Sequence, residues 1–176
     1  MKEKLIATLK AFPVVTAVTI GICYLTTLLA DVLFGVHLDD QESLEQVRSM
    51  IVALVKRICG GAGYHWFFFR DILSLLYIIL LLTVLTPVVE EVIFRWVLWR
   101  LPKPGLPLVS AITSSALFSA AHYIQMPWPN NAFIALFFFG LAQCWLYRKT
   151  DYLWCPALNH ALFNTANLVL MFIVPS

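Results

Sequence analysis

The sequence predicts an all-α fold: a polytopic transmembrane helix bundle of about five spans with one interfacial amphipathic helix. Three observations predict it. Of the 176 residues, 61% are hydrophobic and only 12% charged, about half the charge carried by a soluble globule. Mean hydropathy is +0.82. Apolar runs of span length also recur along the chain, separated by short segments rich in Pro, Gly and Asn. Residues 1–176 are therefore expected to form a single integral membrane domain, with no room for a separate soluble one.

The first span is expected at about 12–34. Lys2, Lys4 and Lys10 precede an apolar run from Phe12 to Phe34. That run is long for a signal region and ends in no small-x-small cleavage pattern, so a retained span is expected. Residues 36–63 are the polar exception. There the acidic cluster Asp39, Asp40, Glu42 and Glu45 leads into Val47, Met50, Ile51, Leu54, Val55 and Ile58 at near-helical spacing. Arg48, Lys56 and Arg57 take the other side, and Gly60 and Gly61 follow. The pattern fits an amphipathic helix at the interface, and equally a solvated helix packed on the bundle.

The remaining spans are expected at about 71–101, 107–126, 131–147 and 153–174. Turns are marked by Pro102, Pro104, Gly105 and Pro107, by Pro127, Pro129, Asn130 and Asn131, and by the stretch from Arg148 to Tyr152. Trp66, Trp99, Trp128 and Trp154 stand near span ends, where indole rings settle at headgroup level. A cytoplasmic N-terminus puts Lys2, Lys4, Lys10, Arg100, Lys103, Arg148 and Lys149 inside, in line with the positive-inside bias. Arg48, Lys56, Arg57 and Arg70 then fall outside and run against it. The net charge of +2 is small, with basic residues at span ends, so nucleic acid is not an implied partner and the lipid bilayer is. Cys23, Cys59, Cys144 and Cys155 show no CxxC or Cys/His spacing and read as buried structural thiols.

Charge inside the second expected span carries the functional information. The eighteen residues from Ile72 to Val89 are uncharged, then Glu90, Glu91 and Arg95 appear, and Trp96 to Trp99 are apolar again. Each charge at a span centre costs about 2.5–3.5 kcal/mol on insertion scales, so three within six positions require compensation. His122, His160 and Asn164 are further polar groups within apolar runs. Alone, each reads as readily as a side chain bonded to a neighbouring helix's backbone. Together they read as a site.

Depth supports convergence. Glu91 and His122 are about equally far in sequence from the turn near residue 105, so an antiparallel hairpin holds both roughly 15–22 Å from it. His160 lies roughly 13 Å in from the Arg148–Tyr152 turn on the same membrane face. All three reach one pocket near mid-membrane. Glu91 and Arg95, four apart, share a helix face and can pair, while Glu90 is turned about 100° away. Adjacent carboxylates in a low dielectric resist ionising together, and Arg95 favours ionisation of one.

This set suits hydrolysis of an amide by activated water: Glu90 as general base, His122 to orient the water or move its proton, and His160 with Asn164, on one face at i, i+4, as donors to an oxyanion. No nucleophile elbow surrounds Ser110, Ser114, Ser115 or Ser119, which read as small residues that let helices approach closely. Two histidines and a glutamate also have the chemistry of a zinc site with an open position. No HExxH spacing supports that, and neither a metal nor a cofactor is expected.

Three segments then complete a recognisable pattern. Glu90-Glu-Val-Ile-Phe-Arg95 resembles an EExxxR motif, Phe118-Ser-Ala-Ala-His122 an FxxxH motif, and His160-Ala-Leu-Phe-Asn164 an HxxxN motif. Their order and spacing, with Gly140-Leu-Ala-Gln-Cys-Trp-Leu-Tyr-Arg between the last two, resemble the CPBP or Abi family: CAAX proteases and bacteriocin-processing enzymes, glutamic intramembrane endopeptidases. The resemblance covers about residues 70–170. It implies an all-helical membrane core in which Glu90 and His122 activate water, Glu91 and Arg95 support the base, and His160 and Asn164 form the oxyanion site. It implies a peptide or protein substrate at the membrane, and a multi-pass protein of a prokaryotic cell membrane. A non-catalytic immunity or scaffold protein holding a peptide terminus in the same pocket is the alternative. A proton or ion carrier is a third class, disfavoured because the spans show no inverted repeat.

Overall fold

A computed structural model describes residues 1–34, 42–60, 65–100, 106–123 and 132–173. Regular structure among them is helical throughout. Helix α1 covers Lys2–Phe34 and α2 covers Glu42–Cys59. Helix α3, His65–Leu80, continues without a break into a π-helical turn, Leu81–Leu85, and then α4, Thr86–Glu91. A second π-helical segment, Val92–Val97, and a 3₁₀ turn, Leu98–Arg100, complete this rod. Helices α5 (Pro107–Tyr123), α6 (Ala132–Thr150) and α7 (Trp154–Ile173) follow. The expected features at Asp39, Asp40, Gly61, Pro102, Lys103, Pro104, Gly105 and from Pro127 to Asn131 lie outside the described residues.

Two helical stretches, Lys2–Leu29 and Phe69–Arg100, are long and apolar enough to cross a membrane. The other three expected spans are present as helices of 17, 19 and 20 residues. Helix α1 begins ten residues before the apolar run, because a helix does not stop where hydrocarbon does. Gly60 closes α2, its N–H donating to the Lys56 carbonyl at 2.8 Å. Ile51 and Leu54 of α2 are buried, and Arg57 reaches the nearly buried Asp71 of α3 at 3.2 Å. The amphipathic helix is thus packed on the bundle. Between α6 and α7, Asp151 takes a left-handed conformation (φ 49°) that its short polar side chain tolerates.

Side-chain pairings define how the helices run. Going up α5 from Ala111 through Ser115 to Ser119, the partners on α6 go down from Cys144 through Gly140 to Phe133. Helices α5 and α6 are antiparallel. Phe94 with Ser114 and Glu90 with His122 make the rod antiparallel to α5. Glu91 with His160 and Leu82 with Asn164 make it antiparallel to α7. The start of α1 lies beside the start of α7, where Cys155 contacts the Lys4 carbonyl.

The polarity is that of a body in lipid. Val14, Val89, Ile93, Trp96 and Leu117 face outward, whereas Glu91, Arg95, Ser114, Ser115, Gln143, Asn159 and His160 are buried. Small residues allow this close packing, as the sequence predicts for the α5 serines. A Cβ at Gly140 would stand 3.0 Å from Ser115 Cβ and 3.1 Å from its Cα. Backbone cannot yield as a flexible side chain does, so Gly140→Ala is expected to lose about 1–3 kcal/mol by overpacking, read as an earlier unfolding midpoint in detergent.

Candidate active site

The rod owes its shape near Glu90 to two widenings of the helix. Pro87 has no N–H to give the Thr83 carbonyl and its ring crowds that turn. The turn before it is π-helical, with the Thr86 N–H bonded to the Leu81 carbonyl five residues back. After Glu91 the second π segment ends with the Leu98 N–H on the Ile93 carbonyl, again five back. Such bulges change the facing of the residues between them and recur at functional sites. Ser114 caps the second one, its hydroxyl donating to the Phe94 carbonyl at 2.6 Å.

Within this frame Glu91 and Arg95 form a fully buried pair, Arg95 Nε standing 3.1 Å from Glu91 Oε2. The N–H is off the line to that oxygen, so the contact is an ion pair without a well-formed hydrogen bond. Arg95 Nη2 donates to the Gly140 carbonyl at 3.3 Å, and its guanidinium lies over the Phe118 ring, 4.7 Å from the centroid. Arginine's planar, weakly hydrated group suits such stacking better than an ammonium. Glu91 Oε1 accepts from His160 Nδ1 at 2.9 Å. His160 is further wedged edge-on against Phe139 and Phe118, with ring centroids 5.0 and 5.8 Å away.

Glu90 stands apart from the buried pair and is partly exposed. Its Oε1 is 3.6 Å from His122 Nε2 and its Oε2 is 3.5 Å from His160 Nε2. His122 Nδ1 is 2.9 Å from the Phe118 carbonyl, one turn back, and donates to it. With Nδ1–H committed in both rings, both Nε2 atoms face the Glu90 carboxylate. Gaps of 3.5–3.6 Å are beyond a good direct hydrogen bond, and a water seated beside the pair can contact carboxylate and imidazole together.

The structure thus brings together Glu90, Glu91, Arg95, His122 and His160 from three helices. Asn164, one turn beyond His160, donates to the Leu82 carbonyl at 3.0 Å and so ties α7 to the first π turn. Beneath His160 lies a buried pair that the sequence alone left unassigned: Gln143 Nε2 donates to Asn159 Oδ1 at 2.8 Å. Both are fully buried. The only signal was that each is a lone neutral amide in an apolar run. Among the described residues no group of three or more His, Cys, Asp or Glu side chains is arranged to hold a metal ion.

An apolar-surfaced helical body with a buried carboxylate, arginine and histidine cluster defines a membrane protein with an internal polar site. Residues 72–166 match the family model described as Type II CAAX prenyl endopeptidase Rce1-like. The match takes in more than half of the chain and all three motifs, and the chain belongs to this family, the CPBP family. The family is one of membrane-embedded proteases, which makes a hydrolase with a protein substrate the class assigned to this chain. No curated protein and no solved structure matches the chain.

Proposed function

We propose that this chain is an intramembrane glutamic endopeptidase, a single five-span domain over residues 1–176 that hydrolyses a peptide bond of a membrane-associated peptide or protein. One observation carries the reading: the Glu90 carboxylate is partly exposed and lies within 3.6 Å of the Nε2 atoms of both His122 and His160, so a water beside them contacts carboxylate and imidazole together. Glu90 takes a proton from a water held against it and His122 Nε2, and the water oxygen bonds to the scissile carbonyl carbon. The resulting oxyanion is met by the His160 ring and by the amide N–H that Asn164 does not give to Leu82. Collapse breaks the C–N bond, and the proton on Glu90 passes to the leaving nitrogen. Glu91 and Arg95 hold His160 through its Nδ1 and supply the fixed charge against which these protons move.

The family's description makes a prenylated C-terminal tail the first substrate to assay, and other membrane peptides the next. The test is a mass-spectrometric comparison of membrane peptides from cells carrying the wild type or His160→Ala. A discrete set of new C-termini is expected with the wild type, formed about 10²–10³-fold more slowly when the oxyanion donor is removed. In ¹⁸O-water each new terminus takes up one label. Identical peptide sets from both strains would refute the reading.

A further inference from the structure

Away from the Glu90 cluster, on the outer side of the bundle, α1 and α6 enclose an open groove of about 350 Å³. Ile6 and Val14 of α1 and Trp145 of α6 supply apolar wall, Lys10 and Lys149 supply charge, and Glu3 stands at its end. The groove extends from Glu3 to Val14, roughly 16 Å along the helix axis, or about half the hydrocarbon core. Its position is fixed by the fold. The start of α1, the end of α6 and the start of α7 meet at one end of the bundle, where Lys4 also lies over the Tyr152 ring at 5.1 Å. That end carries Lys2, Lys4, Arg148 and Lys149.

The apolar wall is open to the surroundings: Ile6 is 41% exposed, Val14 62% and Trp145 52%. Lys149 lies over the Trp145 ring, its Nζ 4.7 Å from the centroid, which fixes the ammonium at the groove's rim. Neither Lys10 nor Lys149 stands within ion-pair distance of a carboxylate among the described residues. Glu3, two turns before Lys10, is roughly 10 Å from it along the axis. Two cations without counterions thus border an apolar channel at the end of a membrane helix, where headgroup phosphates lie and a long lysine reaches them from below.

We propose that this groove binds an anionic phospholipid, its phosphate between Lys10 and Lys149 and one acyl chain along Ile6, Val14 and Trp145. The element that supplies most of it, α1, lies outside the residues matched by the family model. The groove shares no lining residue with the Glu90 cluster.

The test uses the full-length protein in vesicles doped with phosphatidylglycerol or phosphatidylcholine whose acyl chain carries bromine, a contact quencher of indole. The Trp145 contribution is the difference between wild type and Trp145→Phe. Brominated phosphatidylglycerol is expected to quench it at a mole fraction about thirtyfold lower in the wild type than in Lys10→Gln/Lys149→Gln. Lys10→Arg/Lys149→Arg retains the tight quenching, and brominated phosphatidylcholine behaves in the wild type as the glycerol lipid does in the glutamine variant. Equal quenching of the Trp145 contribution by the two lipids overturns the proposal, and this comparison needs only the conservative Trp145→Phe variant to fold. Unchanged quenching in the glutamine variant, or displacement of the lipid by millimolar inorganic phosphate, which would mark a plain anion site, overturns it as well.

Discussion

Glu90→Gln is expected to abolish measurable turnover, lowering kcat by about 10²–10⁴-fold, while the protein inserts and folds as before. The amide has nearly the shape of the carboxylate and still reaches toward His122 and His160, but it cannot take a proton from water. Glu90 is partly exposed and pairs with no arginine or lysine among the described residues, so its loss strands no buried cation there. Substrate binding is expected to persist, with KM little changed, because the group removed acts on water and not on the peptide. Rate measurements on the substrate found by peptide mass spectrometry check this, with unfolding midpoints alongside. A non-catalytic scaffold would instead show unchanged binding and no product from either protein.

Arg95→Met is expected to act in the opposite way, through the fold. Removing one partner of a buried ion pair leaves an uncompensated charge and costs about 3–5 kcal/mol. Here Glu91 would be stranded with no exposed surface, and Gly140 and Phe118 would lose the guanidinium that joins them to the rod. Glu91→Gln/Arg95→Met removes both charges and keeps an acceptor for His160 Nδ1, so it is expected to recover most of the loss. Denaturant unfolding in detergent of the two single variants and the double variant reads the coupling. Additive losses would mean that the pair acts as two independent side chains.

The readable part of this site was its helical periodicity. Glu91 and Arg95 are four positions apart and pair; Glu90 and Glu91 are adjacent and the former is turned away, as 100° per residue requires. Equal distance from a turn placed Glu91 and His122 at one depth, and the structure has Glu90, the neighbour of Glu91, 3.6 Å from His122. The helices were legible as apolar runs, two of them long enough to cross a membrane, although their ends were not, since α1 and α6 continue beyond the apolar stretch as ordinary helix. Pairings across helices were beyond periodicity. Nothing in α6 alone says that Gln143 meets Asn159, or that Arg95 reaches the Gly140 carbonyl. The π-helical turns were hidden too, because a bond to the fifth residue back has no composition of its own, and Pro87 was the one clue. Asn164 shows the consequence: its spacing put it on the His160 face, but the widened turn at Leu82 gives its amide a backbone partner.

The central claim is that Glu90 and His122 face water inside a body whose outside is apolar. Thiol accessibility tests it most directly, since methanethiosulfonate reagents modify a cysteine only as its hydrated thiolate. In a chain whose four cysteines are changed to serine, Glu90→Cys and His122→Cys are compared in native membranes with the outward-facing Ile93→Cys and Leu117→Cys. Rapid modification at 90 and 122, with none at 93 and 117, is the predicted result. Inert thiols at 90 and 122, or equal labelling at 93 and 117, would contradict it.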